Sequence, residues 1–196
     1  IGENEKLICK LIQKDSIEEF DVYMTRNLYS PNSIINPSIY ETNNILIKNE
    51  KTTLIAYAVF YGSIQIFNYL RFNGVDLTPS LWKYSIHGKN SDIIHLLEEN
   101  QVDPPGEESY NELFKESIKC HHNDIANYIQ GKYLSNGYED SNDALIKYLK
   151  YYNFSFIPNN IPYESTFFYL CKYDYYLLVY DFSNLMNENI NQITIS

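Results

Sequence analysis

The middle of the chain repeats one pattern at a fixed spacing. The segment 55–70, followed by Asn-Gly-Val-Asp at 73–76, returns 27 residues later as the segment 82–97, and Asn-Gln-Val-Asp at 100–103 closes the second copy. A fixed period of this size is typical of solenoid proteins, in which each repeat buries its apolar face only against its neighbours. The pattern therefore predicts an array of small repeats that presents an extended surface.

Each repeat has the hydrophobic spacing of two short helices joined by a tight reversal. In the copy at 52–76, apolar residues fall on one face of a helix on each side of Gly62. A glycine at this point favours a left-handed backbone conformation, which ends one helix and lets the chain turn back. We expect the same conformation at the equivalent positions of the other repeats, which are Asp15, Lys89, His121 and Asp174.

Counted from these turns, residues 1–196 form a single array of about five or six repeats. Repeats 1 to 6 lie near 3–28, 52–76, 79–103, 109–133, 142–158 and 162–188, with an insertion at 30–50 after the first. The fifth is degenerate: the segment 145–158 follows the pattern of 66–79, but the residues before it lack apolar periodicity. The predicted fold class is all-α, a solenoid of stacked helical hairpins.

The best-preserved repeat has a motif of helix-start, small, turn and apolar positions. Its members are Thr53, Ile55, Ala58, Gly62, Ile66, Leu70, Gly74 and Asp76. This motif resembles the ankyrin repeat. The segments 61–67, 81–82 and 118–126 are similar to the divergent, Asn- and Tyr-rich ankyrin proteins expanded in trichomonad protists. The resemblance implies an ankyrin-type α-solenoid over essentially the whole chain and implies no chemistry.

The charge balance excludes several classes of partner. The chain has 15 basic and 25 acidic residues, a formal net charge of -10. Nucleic-acid affinity comes largely from clustered Lys and Arg, so we expect no direct nucleic-acid binding. No apolar run approaches the roughly 18 residues of a membrane-spanning helix, so we expect no membrane insertion.

The cysteines indicate the redox compartment of the protein, and the first residue indicates whether the sequence is a segment. Cys9, Cys120 and Cys171 are odd in number and widely spaced, which fits reduced thiols better than a disulfide framework. We therefore expect a cytoplasmic, intracellular protein. Because the first residue is Ile1 and not Met, we also expect the chain to be a segment of a longer protein.

The run Cys120-His121-His122 is the most chemically suggestive motif, since thiolate and imidazole bind zinc or act as nucleophile and base. The repeat pattern gives these residues a structural explanation, because they align with Tyr61, Gly62 and Ser63 around the turn, and no second ligand pair follows. We therefore predict no catalytic residue, no cofactor and no metal site, with a metal site or an enzyme at this run as the disfavoured alternatives.

Other polar residues with possible chemistry also have structural interpretations. His87 and His95 have no evident cysteine or carboxylate partners in the sequence, so we expect surface or groove histidines. The acidic pairs at 18–19, 98–99 and 107–108 are expected to be solvated, because adjacent carboxylates on a helix point in different directions.

Aromatic residues make up 16% of the chain, and their positions in the repeat divide them into two groups. The inward positions, expected to form core, hold Phe67, Tyr69, Trp82, Phe114, Tyr128 and Phe167. The resemblance to ankyrin repeats implies that the two positions before each turn face a concave groove that contacts partners. These are Gln13 and Lys14, Phe60 and Tyr61, His87 and Gly88, Lys119 and Cys120, and Lys172 and Tyr173. We call this set the stripe.

Within the stripe we expect Phe60, Tyr61 and Tyr173 to be apolar anchors, and Lys119 and Lys172 to make charged contacts with a protein partner. The alternative is that these residues are merely solvated helix ends. The predicted function is a non-catalytic protein–protein interaction module, a scaffold or adaptor that is a monomer or a subunit of a larger assembly. The alternative function is a structural component built permanently into a cytoskeletal or ribonucleoprotein assembly.

Overall fold

The computed structural model describes residues 3–48, 51–104, 106, 109–134, 146, 148–156, 163–180 and 183–184. Over these residues the chain is mostly helical, with two strands of two residues each, which confirms the predicted all-α class. None of the described helices combines the length and the apolar character needed to cross a membrane. The chain divides into two compact units, an N-terminal unit, Ile1–Tyr133, and a C-terminal unit, Leu134–Ser196. The single array over 1–196 stays a prediction.

The helices occur in the predicted pairs. In chain order the elements are α1 Leu7–Gln13, α2 Ile17–Arg26, β1 Ile34–Ile35, α3 Asn44–Lys48, β2 Thr52–Thr53, α4 Leu54–Tyr61, α5 Ile64–Phe72, α6 Leu81–Gly88, α7 Ser91–Glu99, α8 Ser109–Lys119, α9 Asn123–Tyr133, a 3-10 turn Phe154–Phe156 and α10 Tyr163–Lys172. The pairs α1–α2, α4–α5, α6–α7 and α8–α9 correspond to repeats 1 to 4. The residues before 146 in the degenerate fifth repeat lie outside the described residues.

All five predicted turns adopt the left-handed conformation. Their φ angles are 51° at Asp15, 71° at Gly62, 49° at Lys89, 58° at His121 and 58° at Asp174. After Gly62, the N–H of Ser63 donates to the carbonyl of Ala58 at 2.9 Å, which closes the end of α4. The same bond occurs at two turns without glycine, from the Ser16 N–H to the Leu11 carbonyl at 3.1 Å and from the His122 N–H to the Ser117 carbonyl at 3.0 Å, so it satisfies the helix end there as well.

The hairpins of the N-terminal unit contact one another in chain order. α1 contacts α4, α4 contacts α6, and α6 contacts α8, while the second helices α2 and α5 also meet. In this unit the residue three positions before each of the four turns is completely buried, which gives a row of aliphatic side chains: Ile12, Val59, Ile86 and Ile118. Each hairpin of this unit therefore buries its first helix against the hairpins next to it.

Repeats 2 and 3 approach closely at the ends of α4 and α6. A Cβ added at Gly62 would lie 2.5 Å from the carbonyl oxygen of Gly88, and a Cβ added at Gly88 would overlap the carbonyl oxygen of Val59. Both contacts are with backbone atoms, which cannot rotate away as a flexible side chain can. Glycine is therefore required at this contact for steric reasons.

The described part of the insertion, 30–48, contains β1 and α3 and lies between repeats 1 and 2 in the chain. Its strand β1 pairs antiparallel with β2, with Ile34 opposite Thr53 and Ile35 opposite Thr52. Thr53 also caps α4, because its hydroxyl accepts a hydrogen bond from the Ala56 N–H at 3.3 Å. The insertion is thus anchored at the residues that begin the helical part of repeat 2.

The C-terminal unit has its own small core. Leu149 and Leu170 are buried, and Tyr169, Tyr173, Tyr175 and Val179 pack partly against them. The left-handed residue near the end of the fifth repeat is Tyr152, with φ 57°, and it corresponds to Gly74, with φ 80°. The alignment of 145–158 with 66–79 pairs Tyr152 with Asn73 instead, so that alignment is wrong by one residue.

The aromatic core predictions are confirmed in part. Phe67, Trp82 and Phe114 are buried. Tyr69 and Tyr128 are half-buried, because their hydroxyl groups reach out to Asp21 and Glu98. Phe167 is 39% exposed, so its assignment to the core is wrong. In α10 it is Leu170 that is buried, in the small core that it shares with Leu149.

Candidate interaction surface

The stripe residues of the N-terminal unit lie at the ends of four first helices that contact one another in chain order. Lys14 and Lys119 are exposed, Phe60 is buried, and Gln13, Tyr61, His87, Gly88 and Cys120 are half-buried. The stripe therefore differs along its length in how much of each side chain a partner could reach.

Phe60 packs inside the protein more than the sequence suggests. Its side chain is only 8% exposed, and its ring stacks on the His87 ring with centroids 5.2 Å apart and 19° between the planes. Tyr61 meets the edge of Phe60 and also packs 4.8 Å from Tyr57. Of the two predicted anchors in repeat 2, Tyr61 thus keeps the more accessible surface.

Gln13, the first residue of the stripe, connects repeat 1 to repeat 2 through a hydrogen bond. Its Nε2 donates a hydrogen bond to the Tyr57 hydroxyl at 2.9 Å. Burial raises the pKa of Tyr57 well above its ordinary value, so this hydroxyl stays neutral. The contact fixes the Gln13 side chain and leaves Lys14 as the freely exposed member of repeat 1.

Repeats 3 and 4 are joined by an ion-pair network. His87 Nε2 lies 3.0 Å from Glu116 Oε1, and Lys119 Nζ lies 2.9 Å from the same oxygen. The hydrogen bond with His87, together with that from Lys119, outweighs the effect of burial and lowers the pKa of Glu116 to about 2. Glu116 is therefore a carboxylate throughout the physiological range and holds the His87 ring and the Lys119 ammonium group near the end of α8.

Cys120 belongs to the same group of side chains. Its Sγ lies 3.7 Å from Nδ1 and 3.8 Å from Nε2 of His87. Among the described residues, His87, Glu116 and Cys120 bring three potential metal-ligand atoms within 4.8 Å of one another. Burial, helped by the negative charge of Glu116, raises the pKa of the Cys120 thiol to about 11, so the free thiol is a weak nucleophile at neutral pH.

The expectation that His87 lacks cysteine and carboxylate partners is therefore wrong. Sequence reasoning grouped Cys120 with its neighbours along the chain, whereas the structure pairs it with a histidine of the preceding repeat. His121 is the exposed left-handed turn residue, and His122 points to the Ile86 carbonyl. The signal that was available is the four-residue spacing from Glu116 to Cys120, which places both side chains on one face of α8.

A second feature that sequence reasoning missed is a series of hydrogen bonds between successive repeats. In repeats 2 to 4 the residue after the turn is polar, and its side chain reaches a backbone carbonyl of the preceding repeat. Ser63 Oγ donates to Ile12 O at 2.6 Å, Asn90 Nδ2 donates to Gly62 O at 3.0 Å, and His122 Nδ1 lies 2.6 Å from Ile86 O. These bonds satisfy carbonyls at helix ends that lie under the neighbouring repeat.

The turn residue of repeat 1, Asp15, also bonds to the next repeat, but here the side chain belongs to the earlier repeat and the backbone groups to the later one. The carboxylate of Asp15 accepts hydrogen bonds from the backbone N–H groups of Gln65 and Ile66, both at 3.0 Å. A negative charge at the first turn of α5 also interacts favourably with the helix dipole. The turns therefore hold successive repeats in a fixed relation, in addition to ending their own helices.

A second polar cluster, around Glu98, links α7 to α9. The Glu98 carboxylate accepts hydrogen bonds from the hydroxyl of Tyr128 at 2.7 Å and that of Tyr133 at 2.5 Å, and from Lys132 Nζ at 2.9 Å. Burial acts to raise the pKa of Glu98, but these hydrogen bonds outweigh it and lower the pKa to about 2. Glu98 is thus a structural carboxylate, and within the pair 98–99 only Glu99 is exposed as predicted. Glu18 and Glu19 are both exposed as predicted, and the pair 107–108 lies outside the described residues.

The C-terminal unit contains the last two residues of the stripe. Lys172 is exposed, and its Nζ lies 5.7 Å and 5.9 Å from the ring centroids of Tyr169 and Tyr173. Tyr173 packs partly against Leu149 and Leu170, so its role as a free anchor is limited.

Comparison of the chain with protein-family models, with curated proteins and with solved structures found no match.

Proposed function

We propose that the chain is a non-catalytic protein–protein interaction module, built as an ankyrin-type stack of helical hairpins. The main support is the recurrence of one geometry in four consecutive hairpins of the N-terminal unit: a first helix, a left-handed turn and a second helix, with the first helices in contact in chain order. A stack of this kind holds a series of equivalent helix ends at regular intervals, which suits it to binding an extended partner surface.

The partner-binding surface in this proposal is the accessible part of the stripe. Lys14, Tyr61, His87 and Lys119 offer two cations, one aromatic ring and one imidazole on neighbouring helix ends. The hydrogen bonds between repeats hold these ends before a partner arrives, so less conformational entropy is lost on binding. The raised pKa of the Cys120 thiol, at about 11, supports the non-catalytic assignment, because a thiol nucleophile needs a low pKa.

The test is affinity capture from cell extract followed by mass spectrometry, with the wild-type chain and two variants as bait. Tyr61→Ala removes the more accessible of the two stripe aromatics in repeat 2, and Phe72→Ala removes a ring that is 78% exposed on α5 and outside the stripe. We expect the captured partner to be lost with Tyr61→Ala and kept with Phe72→Ala. Equal capture by both variants would contradict the stripe as the binding surface.

Exposed apolar side chains support the second candidate function, a structural subunit of a larger assembly. Leu28 and Ile39 are each 91% exposed, and a permanent neighbour in an assembly would cover such side chains. Light scattering of the purified chain separates the two functions. A monodisperse monomer supports the interaction module, whereas aggregation of the isolated chain supports permanent assembly.

A further inference from the structure

We propose that His87, Glu116 and Cys120 together bind one Zn²⁺ ion between repeats 3 and 4. The inference does not depend on the proposed function, because it concerns the chemistry of three side chains whose positions are fixed by the contact between α6 and α8.

Two of the ligands come from the end of one helix. Glu116 lies in the last turn of α8, and the backbone N–H of Cys120 donates to the Glu116 carbonyl at 2.9 Å, so the helical hydrogen bonding continues to Cys120. Residues four apart in a helix lie on the same face. The carboxylate and the thiol therefore point toward the same neighbour, which is the end of α6 with His87.

The spacing of the ligand atoms suits a small tetrahedral metal ion. With Zn–N and Zn–O bonds near 2.1 Å and a Zn–S bond near 2.3 Å, the ligand atoms of a tetrahedral site lie about 3.3–3.6 Å apart. Here His87 Nε2 is 3.0 Å from Glu116 Oε1 and 3.8 Å from Cys120 Sγ. Because the sulfur is nearly equidistant from both ring nitrogens, the thiol must rotate toward Nε2 as the ion enters.

The donor set distinguishes zinc from the alkaline-earth ions. Calcium and magnesium take oxygen ligands, whereas a set of one imidazole nitrogen, one thiolate sulfur and one carboxylate oxygen is suited to Zn²⁺. The thiol releases its proton to solvent on binding, as ligand cysteines do. Three protein ligands leave the fourth position of the ion to water.

Two neighbours of the site influence how it would bind the ion. Lys119 competes for Glu116, but its side chain is 48% exposed and can swing into solvent when a divalent cation arrives. Phe60 stacks on the face of the His87 ring and holds the ring edge toward α8. A bound ion would therefore fasten the end of α6 to the end of α8 and stabilise the contact between repeats 3 and 4.

The test uses the purified, metal-stripped full chain with Co²⁺ as a spectroscopic substitute for Zn²⁺. We expect one equivalent of Co²⁺ to bind with a thiolate-to-cobalt charge-transfer band, and Zn²⁺ to displace it. Cys120→Ser should abolish the band, and His87→Ala and Glu116→Gln should each weaken binding by at least about 10-fold. The matched controls are Cys171→Ser, which removes an exposed thiol, and His121→Ala, which removes the histidine adjacent to Cys120.

A second measurement needs no variant and so is independent of any loss of folding. Bound Zn²⁺ should protect Cys120 of the wild-type chain from alkylation, read by mass spectrometry after a reaction time that labels Cys120 of the metal-free chain, while Cys171 stays reactive. The proposal is overturned if the wild-type chain shows no charge-transfer band and no protection. It is also overturned if His121→Ala weakens binding as much as His87→Ala, because the site would then be the sequence run at 120–122.

Discussion

Gly88→Ala tests whether the end of α6 packs closely against α4, because the expected change in stability depends on that contact. Gly88 is the last residue of α6, where an alanine would ordinarily favour the helix by about 1 kcal/mol. In the stacked hairpins the added Cβ would overlap the Val59 carbonyl oxygen and lie 3.0 Å from the Gly62 nitrogen. Helix propensity alone predicts that Gly88→Ala stabilises the protein, whereas the steric overlap predicts that it destabilises the protein.

The magnitude follows from the atoms that must move. Overpacking costs typically about 1–3 kcal/mol, and the upper part of that range applies here because backbone atoms of α4 block the Cβ. Subtracting the helix-propensity gain leaves a net loss of about 1–2 kcal/mol. Gly131→Ala is the matched control, since Gly131 also lies within a helix, in α9, and an added Cβ there meets nothing within 4 Å. It should stabilise the protein by about 0.5–1 kcal/mol.

The assay is urea unfolding of both variants followed by circular dichroism, in the presence of a chelator. The free energies of unfolding of the two variants should differ by about 1.5–3 kcal/mol, with Gly88→Ala the less stable. A single kcal/mol corresponds to a shift of about 2–8 °C in Tm for domains of this size, so thermal melting checks the result. If Gly88→Ala is as stable as Gly131→Ala, the close contact between repeats 2 and 3 does not exist.

Three further predictions concern the polar contacts between repeats. Asn90→Ala should destabilise the chain by about 1–3 kcal/mol in urea unfolding, because it removes both the bond to the Gly62 carbonyl and the cap of α7, whereas the exposed Ser91→Ala should cost little. Burial lowers the folded-state pKa of His122 below 6.5, so the stability contributed by this group is present above the unfolded-state pKa and is lost as the pH falls below about 6.5. His122→Ser introduces the hydroxyl with which Ser63 reaches the equivalent carbonyl of Ile12, and it should remove that pH dependence from the unfolding free energy; an unchanged pH profile would refute the assignment. The pKa of Glu116 is lowered from 4.5 to about 2, so its contribution is complete above pH 4.5 and disappears as the pH falls toward 2. With a chelator present, Glu116→Gln should therefore be less stable than wild type at pH 6 and equally stable near pH 2, and a stability difference that persists at pH 2 would count against the ion pair.

The turns could be predicted from the sequence because they are local. A left-handed residue between two short amphipathic helices is dictated by the reversal itself, so Asp15, Lys89 and His121 were assigned correctly even without glycine. The row of buried aliphatic residues follows from the same spacing, since each occupies one position in a helical period.

The contacts between repeats could not be predicted because they depend on how far one hairpin is displaced along the next. His87 and Cys120 are 33 residues apart and meet only when α6 and α8 pack together. The burial of Phe60 has the same origin, because the ring that covers it belongs to the next repeat. The alignment of 145–158 failed by one residue since a degenerate apolar pattern, with both Tyr148 and Leu149 buried, fits two registers equally well.

Amide hydrogen exchange of Ala58→Leu measures whether each hairpin of the N-terminal unit is stabilised by its neighbours. Ala58 is fully buried in α4, so the larger side chain strains the contacts of α4 with α1 and α6. The account predicts faster exchange in α1, α4 and α6, a smaller effect in α8 and the least in α9. An equal increase in exchange across all these helices would indicate one cooperative globular core and would contradict the account.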